Sequence, residues 1–180
     1  MTTQYQFMGG LLSWGASASE EEWESLYTAE LPRVYNFFRY RVGDDSLAED
    51  LTATTFEKAW RGRARYRRDL AGFSTWLFAI ARHVAVDHYR QRQAASVSLD
   101  DIHQQADEHN PEEVAEQRAD FAQLARLLSQ LPDRERELLA LKYGAGLTNR
   151  QIARLVNLSE SNVGTILHRM VGQLRAHWQR

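Results

Sequence analysis

The stretch LTNRQIARLVNLSESNVGTILHRMVGQLRAHW, residues 147–178, decides how this chain is interpreted. Within it, Thr148 and Gln151 have the spacing of a capping box, which predicts the start of a helix. Residues 157–159 interrupt the apolar pattern, and Ser159 is a favourable N-cap for a second helix. The second helix carries a single apolar stripe at helical spacing. Two helices joined by so short a turn are typical of a helix-turn-helix.

The start of the second helix also carries polar side chains on the face opposite the apolar stripe. There Asn162 can pair with adenine and Arg169 with guanine, as in a recognition helix that reads duplex DNA. Nearby basic side chains and the helix N-terminus would hold phosphates. The residues predicted to contact this DNA are Arg150, Arg154, Ser159, Ser161, Asn162, Thr165 and Arg169. An ordinary helical hairpin has the same apolar periodicity, so the rest of the chain must decide between the two.

The composition excludes several classes of protein. The 180 residues suffice for one ordinary domain or two small ones. With no cysteine there is no disulfide framework, thiolate metal site or cysteine nucleophile, and the six histidines lack zinc-helix spacing. No apolar run approaches the roughly 18 residues of a membrane span, and no basic residue precedes the apolar part of the N-terminus as in a secretory signal. We therefore expect a cytoplasmic location, no membrane insertion, and neither cofactor nor metal.

Charge is distributed unevenly along the chain, although the net charge is only −2. Residues 1–32 sum to −5 and residues 33–92 to +5. Residues 93–120 then sum to −7 and residues 121–180 to +5. A partner that touches part of the surface responds to the segmental charge rather than to the total. Two basic segments separated by an acidic one are compatible with nucleic-acid binding at two places.

Apolar periodicity predicts an all-α fold, because no segment shows the alternation of a strand. We expect a flexible tail over residues 1–18, a helical domain over 19–93, a flexible acidic linker over 94–111 and a second helical domain, containing the helix-turn-helix, over 112–180. Pro32 predicts a kink or a restart in the first helix. Ser46 and Glu49 form a capping box that predicts the start of the next.

An arginine-rich stretch, RGRARYRRDLAGF, occupies residues 61–73. Single-stranded bases are held by stacking on aromatic rings inside a basic groove. Tyr66 and Phe73 are candidate stacking platforms, with the surrounding arginines holding phosphates. Trp60 and Trp76, at the apolar positions of the flanking helices, are expected to be core residues.

The blocks AEDLTATTFEKAW (residues 48–60) and STWLFAIARHVAVDHYRQR (residues 74–92) resemble the second domain of extracytoplasmic-function sigma factors, the smallest relatives of bacterial sigma-70. The block LPDRERELLALKYGAGLTNRQIARLVNLSESNVGTILHR (residues 131–169) resembles their fourth domain. The resemblance implies a binding module rather than an enzyme, with no small-molecule substrate. It would recruit core RNA polymerase to promoters, read their −10 and −35 elements, and be controlled by an anti-sigma factor.

The resemblance also implies which residues meet each partner. One polar helix face would dock on the clamp helices of the largest polymerase subunit, and the fourth domain would meet the flap. The residues implied in polymerase binding are Glu49, Asp50, Thr54, Glu57 and Lys58. A flipped base of the −10 element would sit between the arginine-rich stretch and the next helix. The residues implied there are Arg63, Arg65, Tyr66, Arg67, Arg68, Phe73, His83, Asp87 and Arg90.

Three positions depart from the family pattern. His83 stands where Asn is common, and Gly164 and Ile166 stand where basic or polar residues are usual. We therefore expect weak or unusual recognition at −35. Two other interpretations stay open: a LuxR-like helix-turn-helix regulator, since LuxR-type proteins share the pattern around residues 134–153, and a sigma-like adaptor that has lost promoter binding. The acidic linker is interpreted either as a mimic of nucleic acid in the polymerase channels or as a solvated tether.

Overall fold

A computed structural model describes residues 20–95 and 113–178 of the chain, and these ranges contain helices and connecting turns but no strand. The all-α prediction is thereby confirmed. The predicted tail, 1–18, and nearly all of the predicted linker lie outside the described residues. The helices are α1 (Glu20–Val42), α2 (Asp45–Gly62), α3 (Phe73–Ala95), α4 (Glu113–Ser129), α5 (Asp133–Leu139), α6 (Asn149–Val156) and α7 (Glu160–Trp178).

The N-terminal half of the described structure consists of α1, α2 and α3. Helix α1 continues through Pro32 without a break, so the predicted restart is wrong. Val34, Phe37 and Phe38 of α1 are fully buried and form the centre of this half. Leu77 and Phe78 of α3 are buried with them.

The start of α2 differs from the predicted capping box. Asp44 is the N-cap, in extended conformation, and its carboxylate accepts a hydrogen bond of 2.7 Å from the backbone N–H of Leu47. Gly43, at φ +74°, makes the turn that places Asp44 there. Ser46 and Glu49 already lie inside the helix. The predicted cap is therefore wrong by two residues, because the earlier carboxylate takes the capping position.

The C-terminal half consists of α4 to α7 and contains the predicted helix-turn-helix. Thr148 caps α6 in a complete capping box with Gln151, as predicted. Asn157 ends α6 in the left-handed conformation, at φ 54°. The Ser159 hydroxyl then accepts a 3.1 Å hydrogen bond from the backbone N–H of Asn162 at the start of α7. Both helix starts predicted for this stretch are confirmed.

Helix α5 passes directly into a π-helical segment, Ala140–Gly144, which connects it to the helix-turn-helix. This segment packs against α1, so the two halves share one continuous apolar core. Leu138 and Leu141 are fully buried within it. None of the described helices is long and apolar enough to cross a membrane.

Candidate functional site

Helix α2 presents one polar face, which carries the residues predicted to bind polymerase. Its other face buries Leu51, Thr55 and Phe56, and the Thr55 hydroxyl donates to the Leu51 carbonyl at 2.8 Å. Four of the five predicted residues are exposed and Thr54 is half-buried. They are Glu49, Asp50, Thr54, Glu57 and Lys58. The packing of the apolar face thus orients all five away from the core, on one accessible surface.

An ion pair joins this face to the surface predicted to read the −10 element. The Lys58 ammonium lies 3.2 Å from the Asp87 carboxylate of α3, and both side chains are about half exposed. A pair so accessible to water contributes little to stability. The two predicted surfaces are therefore adjacent, and Lys58 and Asp87 lie at their border.

The arginine-rich stretch forms the connection between α2 and α3, beginning with a 3₁₀ turn over Arg63–Arg65. Arg67 forms a forked pair with Asp69, at 2.9 and 2.7 Å, and this hydrogen bonding lowers the pKa of the Asp69 carboxyl. Arg68 pairs with Glu22 of α1. The pair with Glu22 thus holds the connection against α1, and both carboxylates partly offset its charge.

An aromatic cluster lies beneath this connection. Tyr66 contacts Trp76 at 5.0 Å between ring centroids and meets Phe73 edge-on at 5.6 Å. Burial raises the pKa of the Tyr66 hydroxyl. Phe73 is only 9% exposed and also meets Trp23 edge-on. Of the two predicted stacking platforms, Tyr66 is half-buried at the edge of the cluster, whereas Phe73 lies within it.

Trp60 differs from its predicted role as a core residue. Its ring is 37% exposed and packs edge-on against Trp23 at 5.2 Å. The Arg63 guanidinium lies 3.8 Å from the ring centre, and Arg63 also donates to the Trp60 carbonyl at 2.8 Å. Trp76 is half-buried, so the core interpretation holds better for Trp76 than for Trp60.

Helix α3 continues the surface beyond the connection. The side chains of His83, Asp87 and Arg90 are exposed on it. The His83 ring nitrogen Nδ1 lies 2.8 Å from the Ala79 carbonyl oxygen, one turn earlier. This contact fixes the orientation of the ring and leaves Nε2 directed away from the helix backbone. Among the described residues, no cluster of His, Cys, Asp and Glu has the arrangement of a metal site.

On α7 the four predicted base-reading residues, Ser161, Asn162, Thr165 and Arg169, are exposed. Arg169 is paired with Glu135 of α5 at 2.8 Å, so reading guanine requires that it leave this carboxylate. The predicted phosphate-binding residues Arg150 and Arg154 are exposed on α6, and Arg150 lies 3.5 Å from Glu160.

Gly164 and Ile166, which depart from the family pattern, both lie toward the protein. A Cβ at Gly164 would point at the Asn149 side-chain amide of α6, 3.4 Å away. Ile166 is half-buried against the core. Neither residue carries a charge that could contact a phosphate, and both lie where α7 packs on the rest of the protein.

Three arginines that sequence reasoning missed connect the two halves. Arg41 is 1% exposed and forms a forked pair with Asp133, at 2.6 and 2.7 Å. Arg82 pairs with Glu137 at 2.8 Å and donates to the Leu155 carbonyl. Arg33 donates to the Ala145 carbonyl at 2.8 Å. Arg82 adjoins His83 in the sequence, and only that adjacency to the predicted surface could have drawn attention to it.

Comparison with known proteins gives two family models that match the chain. The model described as Sigma-70 region 2 covers residues 26–95, and that described as Sigma-70, region 4 covers residues 121–174. The extracytoplasmic-function sigma factor SigM of Bacillus subtilis is 29% identical over 157 residues, 87% of this chain and 95% of SigM. The sigma factor YlaC of the same organism is 30% identical over 149 residues, 81% of this chain and 86% of YlaC.

Among solved structures, the sigma factor RpoE of Bartonella quintana, in complex with the anti-sigma factor NepR, has a TM-score of 0.68. The likeness covers 88% of this chain and 98% of RpoE, at 17% sequence identity. A likeness at this identity establishes the fold. The helical arrangement described above is therefore one that a sigma factor adopts.

Proposed function

We propose, on the premise that this chain belongs to the extracytoplasmic-function sigma factors of the sigma-70 family, that it binds core RNA polymerase and directs it to promoters. In this proposal the chain catalyses no reaction itself. It supplies binding surfaces that position the polymerase on DNA and hold the strands apart.

The observation that carries the proposal is the continuous surface formed by α2, the arginine-rich connection and α3. A protein that only reads duplex DNA needs the helix-turn-helix, but it does not need this second surface. Here a polar helix face borders a basic connection and an aromatic cluster with Tyr66 at its edge. We assign polymerase docking to the polar face of α2 and the −10 element to the connection and α3, because stacking and phosphate contacts together hold single-stranded DNA.

The helix-turn-helix would supply the second promoter contact. Asn162 would read base edges, as would Arg169 once it leaves Glu135, while the exposed Arg150 and Arg154 would contact phosphates. Gly164 and Ile166 offer no charge to a phosphate, which supports weak reading of the −35 element. Recognition would then depend on the two contacts acting together on one polymerase.

We further propose that a protein inhibitor of the anti-sigma type controls this chain. The support is the likeness in fold to RpoE, which was crystallised with the anti-sigma factor NepR. An inhibitor that covers the polar face of α2 would block polymerase docking without touching DNA.

The test is run-off transcription with core RNA polymerase and fragmented genomic DNA, in the presence and absence of the chain. Specific transcripts that require the chain support the proposal, and core polymerase alone is the control. Binding to polymerase without transcripts would instead favour the adaptor. Binding to duplex DNA without binding to polymerase would favour a LuxR-like regulator.

A further inference from the structure

The turn at the end of the arginine-rich connection presents a leucine to solvent. Leu70 is 74% exposed, more than any other large apolar side chain among the described residues. Single exposed leucines are ordinary on protein surfaces, so exposure alone gives Leu70 no role. Its position is the informative feature. Tyr66 and Phe73 flank the turn in the sequence and pack with Trp76, whereas Leu70 remains outside their cluster.

Hydrogen bonds within the turn hold Leu70 in this position. The backbone N–H groups of Leu70 and Ala71 both donate to the Arg67 carbonyl, at 3.1 and 3.2 Å. The Arg67 guanidinium spans the turn through its forked pair with Asp69, and the arginine that follows it pairs with a carboxylate of α1. Leu70 therefore lies at the tip of an ordered turn, which does not have to fold when a partner binds.

The charge around Leu70 indicates the chemistry of that partner. The connection, residues 61–73, contains five arginines and one aspartate. Arg65, Arg67 and Arg68 are exposed close to Leu70 in the sequence. Proteins that insert an apolar side chain between two bases combine it with basic side chains that hold the neighbouring backbone. An apolar tip on a basic turn therefore suits a nucleic acid better than a protein surface.

The turn also places Leu70 close to the ring proposed to hold a base. The hydrogen bond from Leu70 to Arg67 closes a β-turn, so their Cα atoms lie within about 7 Å of each other. Tyr66 precedes Arg67, which puts its Cα within roughly 11 Å of that of Leu70. Bases of one strand are about 3.4 Å apart along the duplex. Leu70 is thus within about three base steps of a base stacked on Tyr66.

We propose that Leu70 is a wedge that enters the base stack of the −10 element, at the gap left by the base that stacks on Tyr66. The displaced base leaves its neighbours without a stacking partner, and an apolar side chain in the gap replaces part of that contact. This role rests on the proposed function and adds to it a residue that contacts the remaining stack rather than the displaced base. Because any base step can accept the wedge, Leu70 favours strand separation without selecting a sequence.

Opening is measured with 2-aminopurine in the −10 element of a promoter identified by run-off transcription, since its fluorescence rises when the base unstacks. With core polymerase, Leu70→Ala should lower the equilibrium constant for opening at least about 10-fold, because a methyl group keeps little of the apolar contact. Leu70→Met, which preserves the apolar volume, should restore most of the opening. Tyr143→Ala, at an exposed apolar side chain of the other half, is the control and should open the promoter like the wild type.

A single-stranded −10 oligonucleotide separates a wedge from a residue that only supports the turn. This DNA offers no paired stack for Leu70 to enter, so polymerase carrying Leu70→Ala should bind it within about 3-fold of the wild type, whereas Tyr66→Leu should bind it more weakly. A loss for Leu70→Ala on the single strand as large as its loss on the promoter would overturn the wedge. Opening of the promoter by Leu70→Ala at the wild-type level would overturn it as well.

The wild-type reaction decides the proposed function separately. A wild type that gives no transcripts from genomic fragments would overturn the proposed function, and the wedge with it. Transcripts from the wild type together with either contrary result for Leu70→Ala would overturn the wedge alone.

Discussion

Reversing the charge of the polar face of α2 should abolish tight binding to polymerase while leaving the fold intact. The variant is Asp50→Lys combined with Glu57→Lys. Both side chains are exposed, and the backbone carbonyl of Asp50, which accepts the Thr54 hydroxyl at 2.9 Å, is unaffected. Glu57 pairs with Arg61 at 2.6 Å with both side chains more than half exposed. Losing that pair and gaining a like-charge neighbour costs about 1 kcal/mol of folding free energy or less.

The effect on binding is expected to be much larger than the effect on folding. Truncating one partner of a buried charge pair at an interface costs roughly 2–5 kcal/mol, and reversal adds repulsion. A loss of 2 kcal/mol already corresponds to about a 30-fold rise in Kd. The assay is titration of fluorescently labelled chain with core polymerase at physiological salt, with circular dichroism to verify folding.

Glu24→Lys, at an exposed acid on α1, is the matched control and should bind like the wild type. A double variant that folds normally and binds within about 3-fold of the wild type, less than 1 kcal/mol, would refute the assignment of this face.

Three further outcomes are expected. Asn162→Ala should weaken binding of the polymerase complex to a duplex −35 element by roughly 1–3 kcal/mol without changing affinity for core polymerase, as followed by fluorescence anisotropy. Tyr66→Leu should destabilise the melted −10 element by about 1–3 kcal/mol if one base stacks on the ring, and so lower the permanganate reactivity of its thymines. Tyr143→Leu, at an exposed tyrosine, should leave that reactivity unchanged. Burial, with a contribution from Arg92, lowers the pKa of His88, whose Nε2 is buried without a partner. The folded state therefore favours the neutral ring, so the free energy of unfolding should be highest above pH 6.5 and fall as pH drops below it; His88→Leu should flatten that slope in urea titrations.

Sequence reasoning succeeded where one local pattern determines the structure. The capping box of Thr148 and the cap at Ser159 depend on side chains a few residues from the groups that they bind, so spacing alone predicts them. The start of α2 was misplaced for a related reason. Two candidate caps, Asp44 and Ser46, lie two residues apart, and the left-handed turn at Gly43 selects the first. A sequence shows that the glycine is present but not the conformation that it adopts.

The contact between the halves could not be predicted because none of its key residues belongs to an apolar stripe. Arg41 resembles an ordinary basic residue in the last turn of a helix, yet it is buried against Asp133, 92 positions away. Gly144 resembles a helix stop, and its close approach to Asn36 depends on the arrangement of α1 and the π-helical segment. Periodicity identifies the faces that enter a core, but it does not show which cores merge.

The same contacts change what the charge of the basic segment means for DNA binding. Residues 33–92 carry a surplus of five positive charges, which suggests a strongly basic surface. In the structure, however, Arg33, Arg41 and Arg82 point into the contact between the two halves, and Arg67 and Arg68 are paired with carboxylates.

Each phosphate contact to a single strand changes the logarithm of affinity by about 0.7 per logarithm of salt concentration. The chain should therefore show a shallower salt dependence for a −10 single strand than five phosphate contacts would give, because Arg33, Arg41 and Arg82 are engaged between the halves. A slope of about −3.5, the value for five phosphate contacts, would refute this and show that the engaged arginines also meet the DNA.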